Sequence, residues 1–284
     1  MPTQREKAEA FMALHTAPRG FLMPNVWDAG SAIVLAEEGF QALGTTSAGI
    51  AFSLGKPDYD VRDARLTVGR DEMLGRIRQI VDAVPVPVSG DLEDGYGASP
   101  EAVAETVRLA IEAGLAGGNV EDNDPRAEGL YDEGLAVERI CAAREAIDAS
   151  GSTFVLTART DAFLQSPHDR DRLKTCIRRA SLFREEGADC IYPCGVGELE
   201  SIETLVRELD APINIVTGWG DVRVPVPELL DAGVARISVG GSLARSALGY
   251  LRSCARELGE RGTVGFLADQ IGHGELNAMF ARGR

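Results

Sequence analysis

The sequence predicts an α/β fold, a closed (β/α)8 TIM barrel with an additional C-terminal helical tail. Three observations predict it. Eight short apolar segments alternate with helical patterns; four of those patterns end in the same way; and 284 residues with 44% hydrophobic content suffice for one barrel-sized core. The shared ending is an acidic or small residue followed by Gly, at Glu38-Gly39, Ala113-Gly114, Glu186-Gly187 and Ala232-Gly233. Glycine suits the left-handed position after a helix C-terminus, where a Cβ would clash.

The first strand is expected at 21–26, a helix at 31–38 and the second strand at 41–46. A helical pattern over 68–84 leads to a third strand at 86–91. Ser99-Pro100 opens the next helix, 100–113, because Ser accepts an orphan N–H and Pro lacks the one that would be wasted. Strands come next at 115–121, 153–159, 189–193, 212–216 and 235–239, separated by helices at 133–149, 170–186, 199–208 and 226–231, with a last helix at 243–259. Apolar strands alternating with helices call for a parallel sheet, and eight units call for closure. The alternative is an open doubly wound sheet, but no Gly-x-Gly-x-x-Gly follows a strand. Residues 1–284 are thus expected to form a single barrel domain. Residues 263–284 remain as a tail whose Phe266, Leu267, Ile271, Leu276, Met279 and Phe280 are too many apolar groups for a free arm. It would be a ninth helix on its own barrel or an arm exchanged between subunits.

A formal net charge of −15 and a pI near 4.7 set the protein against phosphate backbones and anionic lipid, so neither nucleic acid nor membrane is expected as a partner. An acidic protein that binds an anion must reverse the sign locally, through a metal ion, an inward Arg or a helix N-terminus. The five cysteines are odd in number and scattered, which suits free thiols and a cytoplasmic location. The polar first twenty residues lack the apolar centre of a signal peptide, and no apolar run is long enough to span a bilayer.

In such a barrel, catalytic groups sit where strands end. Those ends carry Asn25, Trp27 and Asp28; Thr45 to Gly49; Asp91, Glu93 and Asp94; Glu121 and Asp122; Arg159 and Asp161; Cys194; and Asn214. As alternate residues, Asp91 and Glu93 would place two carboxylates on one side of the strand end. With Glu121 they make an oxygen-only set that suits Mg²⁺ or Mn²⁺ better than Zn²⁺; the bland reading is a solvated acidic turn. Arg159 ends an otherwise apolar run, either to meet an anion or to pair with Asp161 or Glu121. The small polar segment 45–49 could bind carboxylate oxygens. Cys194 could be an acid/base or an apolar filler. His15, His168 and His273 fall at no strand end and are expected at the surface.

Over residues 21–248 the chain resembles the isocitrate lyase/phosphoenolpyruvate mutase superfamily. The resemblance is carried by Pro24-Asn25-Val26-Trp27-Asp28, by 44–49 with Leu54-Gly55-Lys56-Pro57-Asp58, by Asp91-Leu92-Glu93-Asp94-Gly95-Tyr96-Gly97, and by Glu121-Asp122, Ala158-Arg159 and Ser238-Val239-Gly240. It implies that Asp91, Glu93 and Glu121 hold Mg²⁺, mostly through its waters, with Asp58 in the outer shell. It also implies that Thr46, Ser47 and Ala48 bind substrate oxygens together with Arg159. The resemblance adds a homodimer or homotetramer in which C-terminal helices are exchanged.

Three positions depart from the family pattern. Glu93 stands where Asp is common. After Glu121-Asp122 the lyases' Lys-Lys/Arg-Cys-Gly-His loop is replaced by Asn123-Asp124-Pro125-Arg126-Ala127-Glu128-Gly129-Leu130-Tyr131, and the mutases' Asn-rich gating segment is not visible. Cys194 stands where lyases commonly have Glu and mutases His. The implied activity is a Mg²⁺-dependent lyase or decarboxylase that cleaves a C–C bond beside the carbonyl or hydroxyl of a small 2-oxo or 2-hydroxy dicarboxylate, through an enolate. Arg159, Asp58, Glu121 and Tyr96 would be its catalytic residues, and Thr46, Ser47, Ala48, Asp91, Arg159 and Asn214 would contact substrate. Tyr96, Asp124, Glu128 or a metal-bound water would supply the proton. The alternatives are P–C bond chemistry, as in phosphonopyruvate hydrolysis or phosphoenolpyruvate mutase-like transfer, and a 2-oxo acid binding protein without catalysis.

Overall fold

The computed structural model describes residues 1–58, 63, 65–127, 129–218 and 223–282. The chain opens with α1 (Gln4–His15), where a polar lead was expected. Thr3 and Glu6 form a capping box, each side chain taking the other's backbone N–H. The apolar side of α1 closes the N-terminal end of the barrel. Lys7 Nζ reaches the carbonyls of Val81 and Val84, and Phe11 packs with Phe21, Met23, Ala42 and Val155 in a separate lower core.

The predicted first strand is interrupted at Pro24, which has no N–H for a ladder. Its halves are β1 (Phe21–Met23) and β2 (Asn25–Val26). Next in order are α2 (Ala29–Glu37), β3 (Leu43–Thr45), a short α3 (Ser47–Ser53), α4 (Arg70–Ala83), β4 (Val88–Asp91), α5 (Pro100–Glu112) and β5 (Gly117–Glu121). A small antiparallel hairpin, β6 (Asn123–Asp124) with β7 (Gly129–Leu130), precedes α6 (Glu133–Ser150). Then come β8 (Val155–Thr160), α7 (Ala162–Gln165), α8 (Arg172–Glu185), β9 (Cys190–Pro193), α9 (Leu199–Glu208), β10 (Asn214–Val216), α10 (Val226–Asp231), β11 (Arg236–Ser238) and α11 (Ser242–Arg261). A 3₁₀ turn at Gly265–Asp269 and α12 (His273–Arg282) complete the order.

All barrel strands run parallel, and the ladders close. β2, β3, β4, β5, β8 and β9 pair in succession; a parallel bridge between Ile191 and Ile213 leads to β10; β10 pairs with β11, and β11 with β1. That cycle identifies a barrel and removes the open-sheet alternative. Gly39, Gly114, Gly187 and Gly233, each after a helix, have φ between 87° and 93°, the left-handed conformation their sequence context called for. No helix among the described residues is long and apolar enough to cross a membrane.

The tail lies against its own chain. α12 packs on α2, buries Met279, and pairs Arg282 with Glu37 at 2.6 Å. Leu267, Ile271 and Phe280 nevertheless remain exposed, as do Leu248, Tyr250, Leu251 and Leu258 of α11. Exchange of the tail between subunits is not seen in the single chain.

Candidate active site

A cavity of about 130 Å³ opens at the C-terminal end of the barrel. It is lined by Thr46, Ser47, Ala48, Asp58, Asp91, Arg159 and Asn214, all expected from the sequence, and by Tyr192, Cys194, Arg236 and Ser238. The polar wall is stitched by backbone and side chain together. Asp91 Oδ2 accepts the Ser47 N–H at 3.0 Å, its Oδ1 accepts Asn119 Nδ2 at 3.0 Å, and its own N–H goes to Thr45 Oγ1 at 2.9 Å. Thr46 caps α3 through Gly49. Asn25 is a clamp: its amide donates to Thr45 O and accepts from the N–H groups of Val239 and Gly240, tying the first strand to the second and the last.

Contrary to expectation, Asp91 and Glu93 are not alternate residues of one strand. β4 ends at Asp91, and Glu93 lies in the turn beyond it with φ 50°. Tyr96 adopts φ 60°, so two non-glycine residues of this turn occupy the left-handed region, a conformation that costs energy and must be held by its surroundings. Asp94 and Arg139 do the holding. Asp94 accepts from Tyr96 N at 3.0 Å, from the Tyr131 hydroxyl at 2.8 Å and from Arg126, while the buried Arg139 guanidinium donates to the carbonyls of Asp94, Gly97 and Ala98. Sequence reasoning placed Asp94 only among the strand-end acids and missed Arg139, which lies mid-helix with no local signal.

The turn buries Glu93 among carboxylates. Burial, and then the charges of Asp91, Glu121, Asp58 and Asp94, push its carboxyl well above the ordinary range. At the rim, Asp58 is pushed up to about 6 by desolvation and by Asp91, with Ser47 Oγ 3.5 Å away. Among the described residues no three His, Cys, Asp or Glu side chains converge closely enough to hold one ion directly.

Arg159 carries three contacts with carboxylates. Its Nη1 is 2.8 Å from Glu121 Oε2, and Nε and Nη2 grip Asp161 at 2.7 and 2.9 Å. Burial works against the cation, but Asp161 and Glu121 outweigh it and hold its pKa well above the usual value. Asp122, behind it, accepts from Thr160 Oγ1, Asp161 N and Arg179 Nε, fixing the tops of β5 and β8. Tyr192 faces Arg159 across the ladder and is, with Arg236, a cavity residue the sequence reading missed; matching the strand ends of 159 and 193 by register would have found Tyr192. The Cys194 thiol donates to its hydroxyl at 3.4 Å, and burial pushes both groups up, so both stay protonated at neutral pH.

Three expectations are corrected here. Tyr96 does not line this cavity: its hydroxyl is buried with no hydrogen-bond partner among the described residues, and the residue faces a neighbouring groove with Lys56, Glu93, Asp94 and Arg126. Asp124 is likewise absent from the cavity and engages Arg126, and Glu128 lies outside the described residues. His15 is not a surface residue. It is 4% exposed, buried under the barrel between Phe11, Phe21 and Arg236.

A family model, phosphoenolpyruvate phosphomutase, matches residues 11–259. The chain belongs to that family. This phosphoenolpyruvate phosphomutase family member is therefore an enzyme of the isocitrate lyase/phosphoenolpyruvate mutase superfamily. It is similar to 2-methylisocitrate lyase of Escherichia coli (strain K12), 30% identical over 235 residues that cover 80% of this chain and 76% of the relative. A structure from Burkholderia cenocepacia J2315, assigned to the lyases or mutases, superposes with a TM-score of 0.91 at 44% identity, over 98% of this chain and 97% of that one. Oxaloacetate acetylhydrolase in complex with the product oxalate superposes with a TM-score of 0.87 at 27% identity, over 99% and 96% of the two chains. In this family member the segment after Glu121-Asp122 is the β6–β7 hairpin, pinned to α7 by Gln165 Nε2 on Asn123 Oδ1 at 2.7 Å.

Proposed function

We propose that the enzyme is a Mg²⁺-dependent carbon–carbon lyase or decarboxylase acting on a small 2-oxo or 2-hydroxy dicarboxylate. The observation that carries this reading is the juxtaposition of a locked Arg159 with Asp58 and Asp91 in one small cavity, and with Glu121 and Glu93 buried beside it rather than in its lining. Like charges that raise the pKa of Glu93 lower their energy by taking up protons or a cation. The donor set is all oxygen, which fits Mg²⁺ or Mn²⁺; because the acids do not converge, Asp91, Glu93 and Glu121 would hold the ion largely through its water shell, with Asp58 farther out. When bound, the ion would stabilise negative charge developing on a substrate oxygen.

The chain's own residues do the rest. Arg159, fixed by Glu121 and Asp161, donates its remaining N–H groups to a substrate carboxylate, and the hydroxyls of Thr46 and Ser47 take neighbouring oxygens. Asp58 accepts the proton of the substrate hydroxyl or hydrate. The C–C electron pair then moves into the departing fragment as an enolate, and a neutral acid returns a proton to its carbon. Tyr192 and Cys194, both protonated, replace Tyr96 in that role. The enzyme would work in the cytoplasm as a homodimer or homotetramer, supported by its unpaired cysteines and the apolar stripe on α11.

The test is a panel of oxaloacetate, 2-methylisocitrate, dimethylmalate and phosphonopyruvate with Mg²⁺, monitored by NMR. Cleavage of one of the first three is expected. Product from phosphonopyruvate alone would replace this reading with P–C chemistry, and tight binding without turnover would leave a non-catalytic binding protein.

A further inference from the structure

The cavity contains a second guanidinium, and its circumstances are the reverse of those of Arg159. Arg236 points from β11 into the barrel at the cavity floor and is 2% exposed. Among the described residues its hydrogen-bond partners are all uncharged: Asn214 Oδ1 at 2.8 Å, Thr157 Oγ1 at 3.0 Å and His15 Nε2 at 3.2 Å, with the Phe11 ring 5.9 Å away. His15 Nδ1 is 2.8 Å from Phe11 O, so a neutral ring that donates there accepts from Arg236 with its other nitrogen. A buried cation held by dipoles alone is costly unless an anion joins it. Arg159 already faces two carboxylates; Arg236 faces none.

The contacts also have a direction. A guanidinium only donates, so Arg236 Nε fixes the Asn214 amide with its oxygen down and its Nδ2 on Ser238 Oγ, at 3.2 Å. Ser238 accepts from below, and its own O–H is left to donate into the cavity it lines. The cavity is therefore acidic at the rim, with Asp58 and Asp91, and positive at the floor.

We propose that the floor is a second carboxylate site, in which Ser238 contacts the distal carboxylate of the substrate and Arg236 is the positioning residue that supplies the uncompensated charge and orients the Asn214–Ser238 pair. This deepens the proposed function and rests on it. It makes Arg236 the residue that selects dicarboxylates over monocarboxylates.

Malate and lactate differ by one carboxylate and serve as probes, titrated calorimetrically into the full-length Mg²⁺-loaded protein. Arg236→Met is expected to weaken malate binding tenfold or more and to change lactate binding less than threefold, while Arg236→Lys retains part of the preference. His15→Asp places a countercharge beside Arg236 from beneath the cavity and should cause the same selective loss, which covers the case in which Arg236→Met does not fold. Unchanged malate affinity in either folded variant overturns the floor site while leaving the lyase reading intact. A wild-type protein that binds neither acid overturns the floor site, and turnover in the substrate panel then decides the lyase reading separately.

Discussion

Arg159 and Glu121 are register partners across the ladder between β5 and β8, and their side chains meet at 2.8 Å. Asp161 takes the other edge of the same guanidinium at 2.7 and 2.9 Å. From sequence, Arg159 could either meet a substrate or pair with these acids. The structure pairs it with both acids and still leaves it on the cavity wall. Such an Arg is oriented before any ligand arrives, which lowers the entropy cost of binding.

Arg159→Lys keeps the charge and loses the planar fork, so it cannot reach Glu121 and Asp161 together. The expected result is a fall in kcat/KM on the order of 100-fold, about 2.7 kcal/mol, with a melting temperature close to wild type. Steady-state kinetics beside calorimetric melting check it. An unchanged kcat/KM would confine Arg159 to a structural role.

The same cavity shows what could be read from sequence and what could not. Strand ends, the oxygen-rich motif and Arg159 were legible because period, glycine caps and charge against apolar flanks are local signals. The assignments that missed depended on partners distant in sequence. Tyr96 looked catalytic because it adjoins Glu93, but the left-handed backbone at 93 and 96 turns it toward a different groove. His15 looked exposed because its own segment is polar, but α1 folds under the barrel, and its ring meets Arg236, 221 residues away. Arg236 itself sits in an apolar run where nothing local distinguishes a cavity residue from a strand's outer face.

Asp91→Ala and Glu121→Gln remove carboxylates from the cluster around Glu93. Each is expected to cut Mg²⁺-dependent activity on the order of 100-fold, to raise the Mg²⁺ concentration needed for half-maximal activity, and to leave the circular dichroism spectrum unchanged. Chelation with EDTA should reproduce the loss. Full activity in EDTA-treated, metal-free enzyme would refute the oxygen-ligand argument.

Tyr192→Phe and Cys194→Ala each remove one protonated group from the cavity. If this pair returns the proton, kcat should fall in at least one variant by on the order of 100-fold while KM changes little. Deuterium incorporation from D₂O into product, measured by mass spectrometry, separates the step from cleavage. Wild-type kcat in both variants, and in the double variant, would move the proton source elsewhere.

His15 gives the fold a defined pH response. Burial, and then the Arg236 charge, depress its pKa to about 3, against an ordinary value of 6.5. The native state therefore excludes a proton that the unfolded chain accepts, so stability is full above pH 6.5 and is lost progressively as pH falls toward 3. At pH 4.5 this one group should cost roughly 2–3 kcal/mol relative to pH 7. His15→Gln can still accept from Arg236 but does not titrate, so its urea stability should decline less than wild type over that interval. Parallel pH profiles for the two proteins would exclude His15 as the cause.

Assembly turns on the C-terminal tail. α11 ends at Arg261 and is capped by Gly262, whose φ of 63° turns the chain away from the helix and into a 3₁₀ turn and α12 rather than a ninth barrel unit. Among the described residues of the tail only Met279 is a buried apolar side chain, while Leu267, Ile271 and Phe280 stay in contact with water beside an equally apolar stripe on α11 formed by Leu248, Leu251 and Leu258. Exposed apolar side chains in this number mark an interface between subunits. The tail is expected to pass to a neighbour, and a chain truncated after Gly262 should elute as a smaller species than the full chain in size-exclusion chromatography with light scattering. Mixing full-length and truncated chains should give intermediate assemblies, because each intact tail can still dock on a partner. An oligomer that persists unchanged without residues 263–284 would rule out exchange as its principal support and leave the tail where α2 holds it.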